Sequence, residues 1–104
     1  MSIKVELDKL AEALADFTFA YLITVSDDHQ AHTVAVDPVL RDGVLDVSPA
    51  RTTTRRNLAT RDGVTLLWPP AETDDHTLIV DGRGEIAGDV LHVVPERAVL
   101  HRKA

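Results

Sequence analysis

The spacing of apolar residues changes several times along the chain, and each change predicts a different element. Val5, Leu7, Leu10, Ala11, Leu14 and Phe17 recur at intervals of three and four, with Glu6, Asp8, Lys9, Glu12 and Asp16 on the other side. That period predicts an amphipathic helix over residues 6–16. Residues 18–26 are aromatic and β-branched (Phe19, Tyr21, Ile23, Thr24, Val25) and run into the polar cluster Asp27-Asp28-His29-Gln30, the pattern of a strand entering a hairpin. Residues 31–40 alternate as a second strand, Val34 and Val36 on one face and Thr33, Ala35 and Asp37 on the other, with Pro38 pushing it toward a sheet edge. Asp42-Gly43 is a hairpin turn signal, and residues 44–48 return as a third strand with Leu45 and Val47 on one face.

Residues 48–63 break the alternation. Pro49, three consecutive threonines and Arg55-Arg56-Asn57-Leu58 lead to Asp62-Gly63, which predicts a short helix capped by a threonine and closed by Gly63. Residues 64–68 form an apolar strand stopped by Pro69-Pro70, and residues 71–75 read as a polar loop. Leu78, Val80 and Ile86 alternate with Thr77, Asp81, Arg83 and Glu85 over residues 77–87, where Gly82 and Gly84 predict a bend or a close backbone approach. Gly88-Asp89 turns the chain into a last strand over residues 90–94. The expected fold is mainly β (α+β): one domain over residues 1–104, built as a six-stranded antiparallel, partly closed barrel. A helix precedes the strands and a short helix lies between the third and fourth. Closure of this kind removes exposed strand edges.

Composition narrows the chemistry. The chain has 104 residues and no cysteine, which excludes a disulfide framework, a thiolate metal site and a cysteine nucleophile, so redox chemistry would need a bound cofactor. A domain of this size buries a modest fraction of its surface, which favours help from a partner subunit or a ligand. No continuous apolar run occupies the first 17 residues, so neither a signal peptide nor a membrane span is expected and the cytoplasm is the default location. The net charge of -6 argues against nonspecific nucleic-acid binding, which depends on clustered cations.

That negative charge is unevenly spread. Between Asp46 and Asp62 there is no acid, while Arg51, Arg55, Arg56 and Arg61 all fall inside. A helix start ordinarily attracts acids, because its unpaired N–H groups carry partial positive charge. Arginines and three threonine hydroxyls there make sense if an anion such as a phosphate is bound. Solvated surface charges with capping threonines are the alternative. On the anion reading the site is the turn from Ser48 to Asn57, with Arg51 and Arg56 as charged donors and Thr52, Thr53 and Thr54 adding hydroxyl or amide contacts. Trp68, at a strand end, fits either against a flat ligand ring or in simple packing. The five histidines, His29, His32, His76, His92 and His101, include no helical ligand pair and no His-Glu motif, so no metal site is expected. No Gly-x-Ser-x-Gly elbow is present, and Gly82-Arg83-Gly84 opens no helix, so it is not a dinucleotide fingerprint.

The order of elements and several phrases resemble the split-barrel flavoproteins of the pyridoxamine 5'-phosphate oxidase-like superfamily. The phrases are Ala20-Tyr21-Leu22-Ile23-Thr24-Val25, Asp42-Gly43-Val44-Leu45-Asp46-Val47-Ser48, and Arg56-Asn57-Leu58 leading to Val64-Thr65-Leu66-Leu67-Trp68. The resemblance implies binding of FMN, of the deazaflavin F420 or, in some relatives, of haem, at the interface of a homodimer. It implies Ser48, Arg51, Thr52, Thr53, Thr54, Arg56, Asn57 and Trp68 as cofactor-binding positions, and an oxidoreductase acting on a small-molecule substrate. Many similar proteins carry Lys or Arg where Thr54 stands, so the phosphate contact would be made by other groups here. The chain also ends without the tail that completes the pocket of the true pyridoxamine-phosphate oxidases, so that specific activity is not expected. A non-catalytic flavin or haem carrier, or a dimeric domain that has lost its ligand, is the alternative function.

Overall fold

Residues of even number in the central strands turn inward together: Leu22 of β2 (Ala20–Val25), Leu66 of β6 (Gly63–Trp68), and Leu78 and Val80 of β7 (Thr77–Ala87) are all buried. Strand alternation thus builds the core directly from the sequence pattern. The structure is a computed structural model that describes residues 1–71 and 76–103. The remaining elements are β1 (Ser2–Val5), a 3-10 turn (Leu7–Lys9), α1 (Leu10–Leu14), β3 (Ala31–Val36), β4 (Val39–Arg41), β5 (Val44–Val47), α2 (Thr52–Leu58) and β8 (Val90–His101). The eight strands form one antiparallel sheet in the order β3-β2-β6-β7-β8-β5-β4, with β1 added to β8. The helix between the third-strand hairpin and β6 is present as expected, and the fold is the mainly antiparallel α+β class read from the sequence.

Among the described residues there are eight strands, where the sequence pattern predicted six. β1 is not among the predicted strands, since Val5 fits the helical spacing that follows, yet it pairs with residues 98–101 of β8, at the far end of the chain. The predicted second strand divides into β3 and β4 around Asp37-Pro38. The predicted helix over 6–16 contracts to the 3-10 turn and the five residues of α1, which bury Leu10 and lay Ala13, Leu14 and Phe17 against the core. The final strand runs on through Pro95 to His101 rather than ending at Val94. The predicted loop 71–75 falls almost wholly outside the described residues.

Pro95 is tolerated because the ladder skips a residue beside it. Asp81 pairs with Arg97 and Gly82 with Pro95, which leaves Glu96 unopposed in a bulge. The skip reverses the inward parity of β8, from Leu91 and Val93 to Ala98 and Leu100. Gly82 is the residue that permits it, since a Cβ there would sit 2.4 Å from the Val94 carbonyl oxygen. The β4–β5 hairpin uses the predicted Asp-Gly turn with φ of 51° at Asp42 and 80° at Gly43, the two positive values of a type I′ turn.

The outer face of the sheet carries a second apolar feature. Ala35, Tyr21, Leu67, Ile79 and Val99 are consecutive cross-strand partners through β3, β2, β6, β7 and β8, and all lie on the side away from the core. Tyr21 is 36% exposed and stacks edge-on with Phe19 at 5.3 Å. No helix among the described residues is long and apolar enough to cross a membrane.

Candidate functional site

β3 ends the sheet on one side, and along its inner face the barrel is split. Across the split stand the end of β5 and the turn into α2. The Ser48-Pro49 peptide is cis. The Ala50 N–H donates to the Asp89 carbonyl at 2.8 Å, and Ala50 itself is buried, which fixes the start of the turn.

α2 is held on three sides. Thr54 and Asn57, three apart and therefore on one face, are 3% and 2% exposed. The Asn57 side-chain amide donates to the Thr24 hydroxyl at 3.0 Å, and the Arg55 guanidinium donates to the Gly88 carbonyl at 2.9 Å. Beyond the helix, Thr60 and Arg61 both donate to the Asp27 carboxylate at 2.8 Å. The Thr60 hydrogen bond, followed by that of Arg61, holds the Asp27 carboxyl below the ordinary carboxylate range. The N-cap is Arg51 rather than one of the threonines, and it makes no side-chain capping bond, because the helix begins at Thr52 itself.

The split forms a groove of about 490 Å³, within the span usual for small-molecule sites. Leu22, Val34, Val36, Val47 and Leu91 give it apolar walls, while Ser48, Arg51, Thr52, Thr53 and Thr54 supply hydroxyls and one guanidinium from the α2 side. His32 and Asp37 are the polar groups from the β3 side. Arg51 is exposed and makes no ion pair among the described residues, and the Asp37 carboxylate lines the same groove.

Five of the eight positions singled out in the sequence, Ser48, Arg51, Thr52, Thr53 and Thr54, therefore meet in one groove. The other three do not line it. Arg56 borders a separate hollow of about 280 Å³ with Ser26, Asp27, Asp28, Asn57 and Thr60. Five helical positions separate Arg51 from Arg56, which turns them about 140° apart. Asn57 is spent on Thr24. Trp68 is 3% exposed within the core cluster, so its ring serves packing.

His32 and Asp37 are polar groove residues that the motif reading left out, and His32 is the one with an unmet atom. Its Nδ1 is buried and has no hydrogen-bond partner among the described residues. Such an atom costs about 1–3 kcal/mol if nothing meets it. Its parity with Val34 and Val36 was the available signal, because it turns the imidazole inward at the sheet edge.

No protein-family model matches the chain. It is 50% identical to the uncharacterized protein Mb0449c of Mycobacterium bovis, over 97% of this chain and 82% of that protein. It is equally similar to the uncharacterized protein MT0457 of Mycobacterium tuberculosis. The chain belongs to the family of these mycobacterial proteins. Among solved structures, a candidate pyridoxamine 5'-phosphate oxidase of Listeria innocua superposes with a TM-score of 0.75 over 93% of this chain and 98% of its own, at 15% identity. An FAD-binding protein of Mesorhizobium loti matches with a TM-score of 0.77 over 100% and 99%, at 11% identity, and an FAD-binding protein of Mycobacterium smegmatis with 0.68 over 98% and 100%, at 14%. The fold is that of the pyridoxamine 5'-phosphate oxidase-like split barrels, as the sequence phrases implied.

Proposed function

We propose that this protein is a flavin-binding split barrel, with FMN in the groove between β3 and α2 and its phosphate against Arg51 and Thr52–Thr54. The observation that carries the reading is the groove itself, in which Arg51 and the hydroxyls of Ser48 and Thr52–Thr54 stand across from an apolar wall of strand residues. A phosphate at one end and a flat, largely apolar ring along the other would use both. The names of the Mesorhizobium and Mycobacterium smegmatis structures, both FAD-binding, support a flavin, and F420 is the alternative occupant.

The residues present fit such a group by their donor set: hydroxyls, a guanidinium and an imidazole nitrogen that have no side-chain partner among the described residues, with the Asp37 carboxylate left for the hydroxyl-bearing part of the ligand. A bound flavin would supply the hydride chemistry of an oxidoreductase, and the protein would bind and orient it beside a small-molecule substrate. Arg51 neutralises phosphate charge at the mouth, the threonines fix its orientation, and Val34, Val36 and Leu91 exclude water from the ring. The functional unit is a homodimer joined through the outer stripe of Tyr21, Leu67, Ile79 and Val99, which gives apolar surface on a small domain a partner.

The absorbance spectrum of the freshly purified protein tests the reading. Flavin bands, bleached on adding NADPH or a chemical reductant and restored when a candidate acceptor is then added, are the expected outcome. A haem band, or flavin that neither copurifies nor binds when added, contradicts it.

A further inference from the structure

We infer that His32 is a ligand contact, with its buried Nδ1 hydrogen-bonding an oxygen of the molecule in the groove. The inference rests on the flavin reading and names a residue that neither the motif phrases nor the basic turn includes.

Three observations converge on it. His32 lies on β3, the edge strand, with its side chain on the groove face. Its cross-strand partner is Thr24, whose hydroxyl already accepts from Asn57, and this pairing sets the imidazole beside the seam where α2 meets the sheet. Nδ1 is buried and finds no partner among the described residues; Asp37, just past the end of β3, is the other polar group on its side of the groove, and those from Ser48 to Thr54 come from the opposite wall. A buried nitrogen that its own protein leaves unmet, in a groove lined on the far side by hydroxyls and a guanidinium, calls for an oxygen lying between the two walls. On FMN that oxygen belongs to the phosphate, to a ribityl hydroxyl or to a ring carbonyl, and Nδ1–H would donate to any of them.

Two variants separate contact from packing. His32→Phe keeps a ring and removes both nitrogens, whereas His32→Asn keeps a polar atom near the position of Nδ1. Fluorescence titration with FMN and with riboflavin, which lacks the phosphate, should show His32→Phe weakened roughly tenfold for FMN and His32→Asn within about threefold of the parent. The ligand-free melting temperature of His32→Phe should be no lower than the parent's, because an unmet polar atom has been removed. A loss confined to FMN assigns the phosphate oxygen, and an equal loss for riboflavin assigns an oxygen of the ribityl chain or the ring; both sustain the contact. In the parent, the ¹⁵N resonance of His32 Nδ1 should move on FMN addition, a readout that does not depend on either variant folding. Parent-like affinity of His32→Phe for both flavins, or an unmoved resonance in saturated protein, overturns the inference while leaving the flavin reading intact. A parent that binds neither flavin overturns the flavin reading and this inference with it.

Discussion

The Asn57 amide donates to the Thr24 hydroxyl at 3.0 Å across a buried seam, and this bond joins α2 to the central strand β2. It ties the turn that lines the groove to the sheet that forms its opposite wall. Removing one partner leaves the other unmet in a buried place. Asn57→Ala should therefore destabilise the protein by about 1–3 kcal/mol in denaturant unfolding, and Thr24→Val by a similar amount. Because both changes remove the same bond, the Thr24→Val, Asn57→Ala double variant should lose less than the sum of the two single losses. Strict additivity would mean that the bond contributes nothing.

Gly82 makes a sharper structural prediction. A Cβ at this position meets backbone, the Val94 oxygen at 2.4 Å, and no flexible side chain can relieve it. Gly82→Ala should cost about 1–3 kcal/mol as β7 and β8 separate at the bulge. Gly63→Ala, with nothing within 4 Å, should stay within about 0.5 kcal/mol of the parent. Thermal unfolding of the two variants side by side checks the contrast.

These two sites also show how far the sequence was readable. Gly82 and the Asp42-Gly43 turn were legible because local backbone demands leave their mark on local residue choice. The long-range part was not. β1 exists because it pairs with the second half of β8 across almost the whole chain, and a pairing of that range leaves no periodic trace in Ser2–Val5. The continuation of β8 past residue 94 was not legible, because the glycine that accommodates Pro95 lies on a different strand. At the groove, the cluster from Ser48 to Thr54 was visible as an acid-free basic run. The split between Arg51 and Arg56 was not, because it depends on where the helix begins. His32 was overlooked because a lone histidine in a strand carries no motif.

The outer stripe predicts the oligomeric state. Light scattering at micromolar concentration should give a dimer, and Tyr21→Lys together with Ile79→Lys should give a folded monomer, since charge is placed on the shared face. A parent that is already monomeric contradicts the assignment of the stripe to a second copy.

The lowered pKa of Asp27 has a defined sign. Its folded value lies below the ordinary 3.8, so the Thr60 and Arg61 contacts stabilise the folded state above that pH, and the stabilisation is lost as pH falls through the folded value. Asp27→Asn should therefore be less stable than the parent at neutral pH, with the difference shrinking below about pH 3.8. The carboxylate is exposed, so the effect should be small and reduced by salt. Unfolding measured across acid pH at low and high ionic strength reads it directly.

The central claim, that the turn into α2 receives a flavin phosphate, is tested most directly by titrating FMN and riboflavin into the parent, Arg51→Ala and Arg56→Ala. The parent should bind FMN more tightly than riboflavin. Arg51→Ala should lose about 1.5–3 kcal/mol of FMN affinity, the range for a hydrogen bond to a charged group, with riboflavin affinity unchanged. Arg56→Ala, which borders the other hollow, should bind both flavins as the parent does. Equal binding of FMN and riboflavin by the parent, or parent-like FMN affinity in Arg51→Ala, would contradict the assignment.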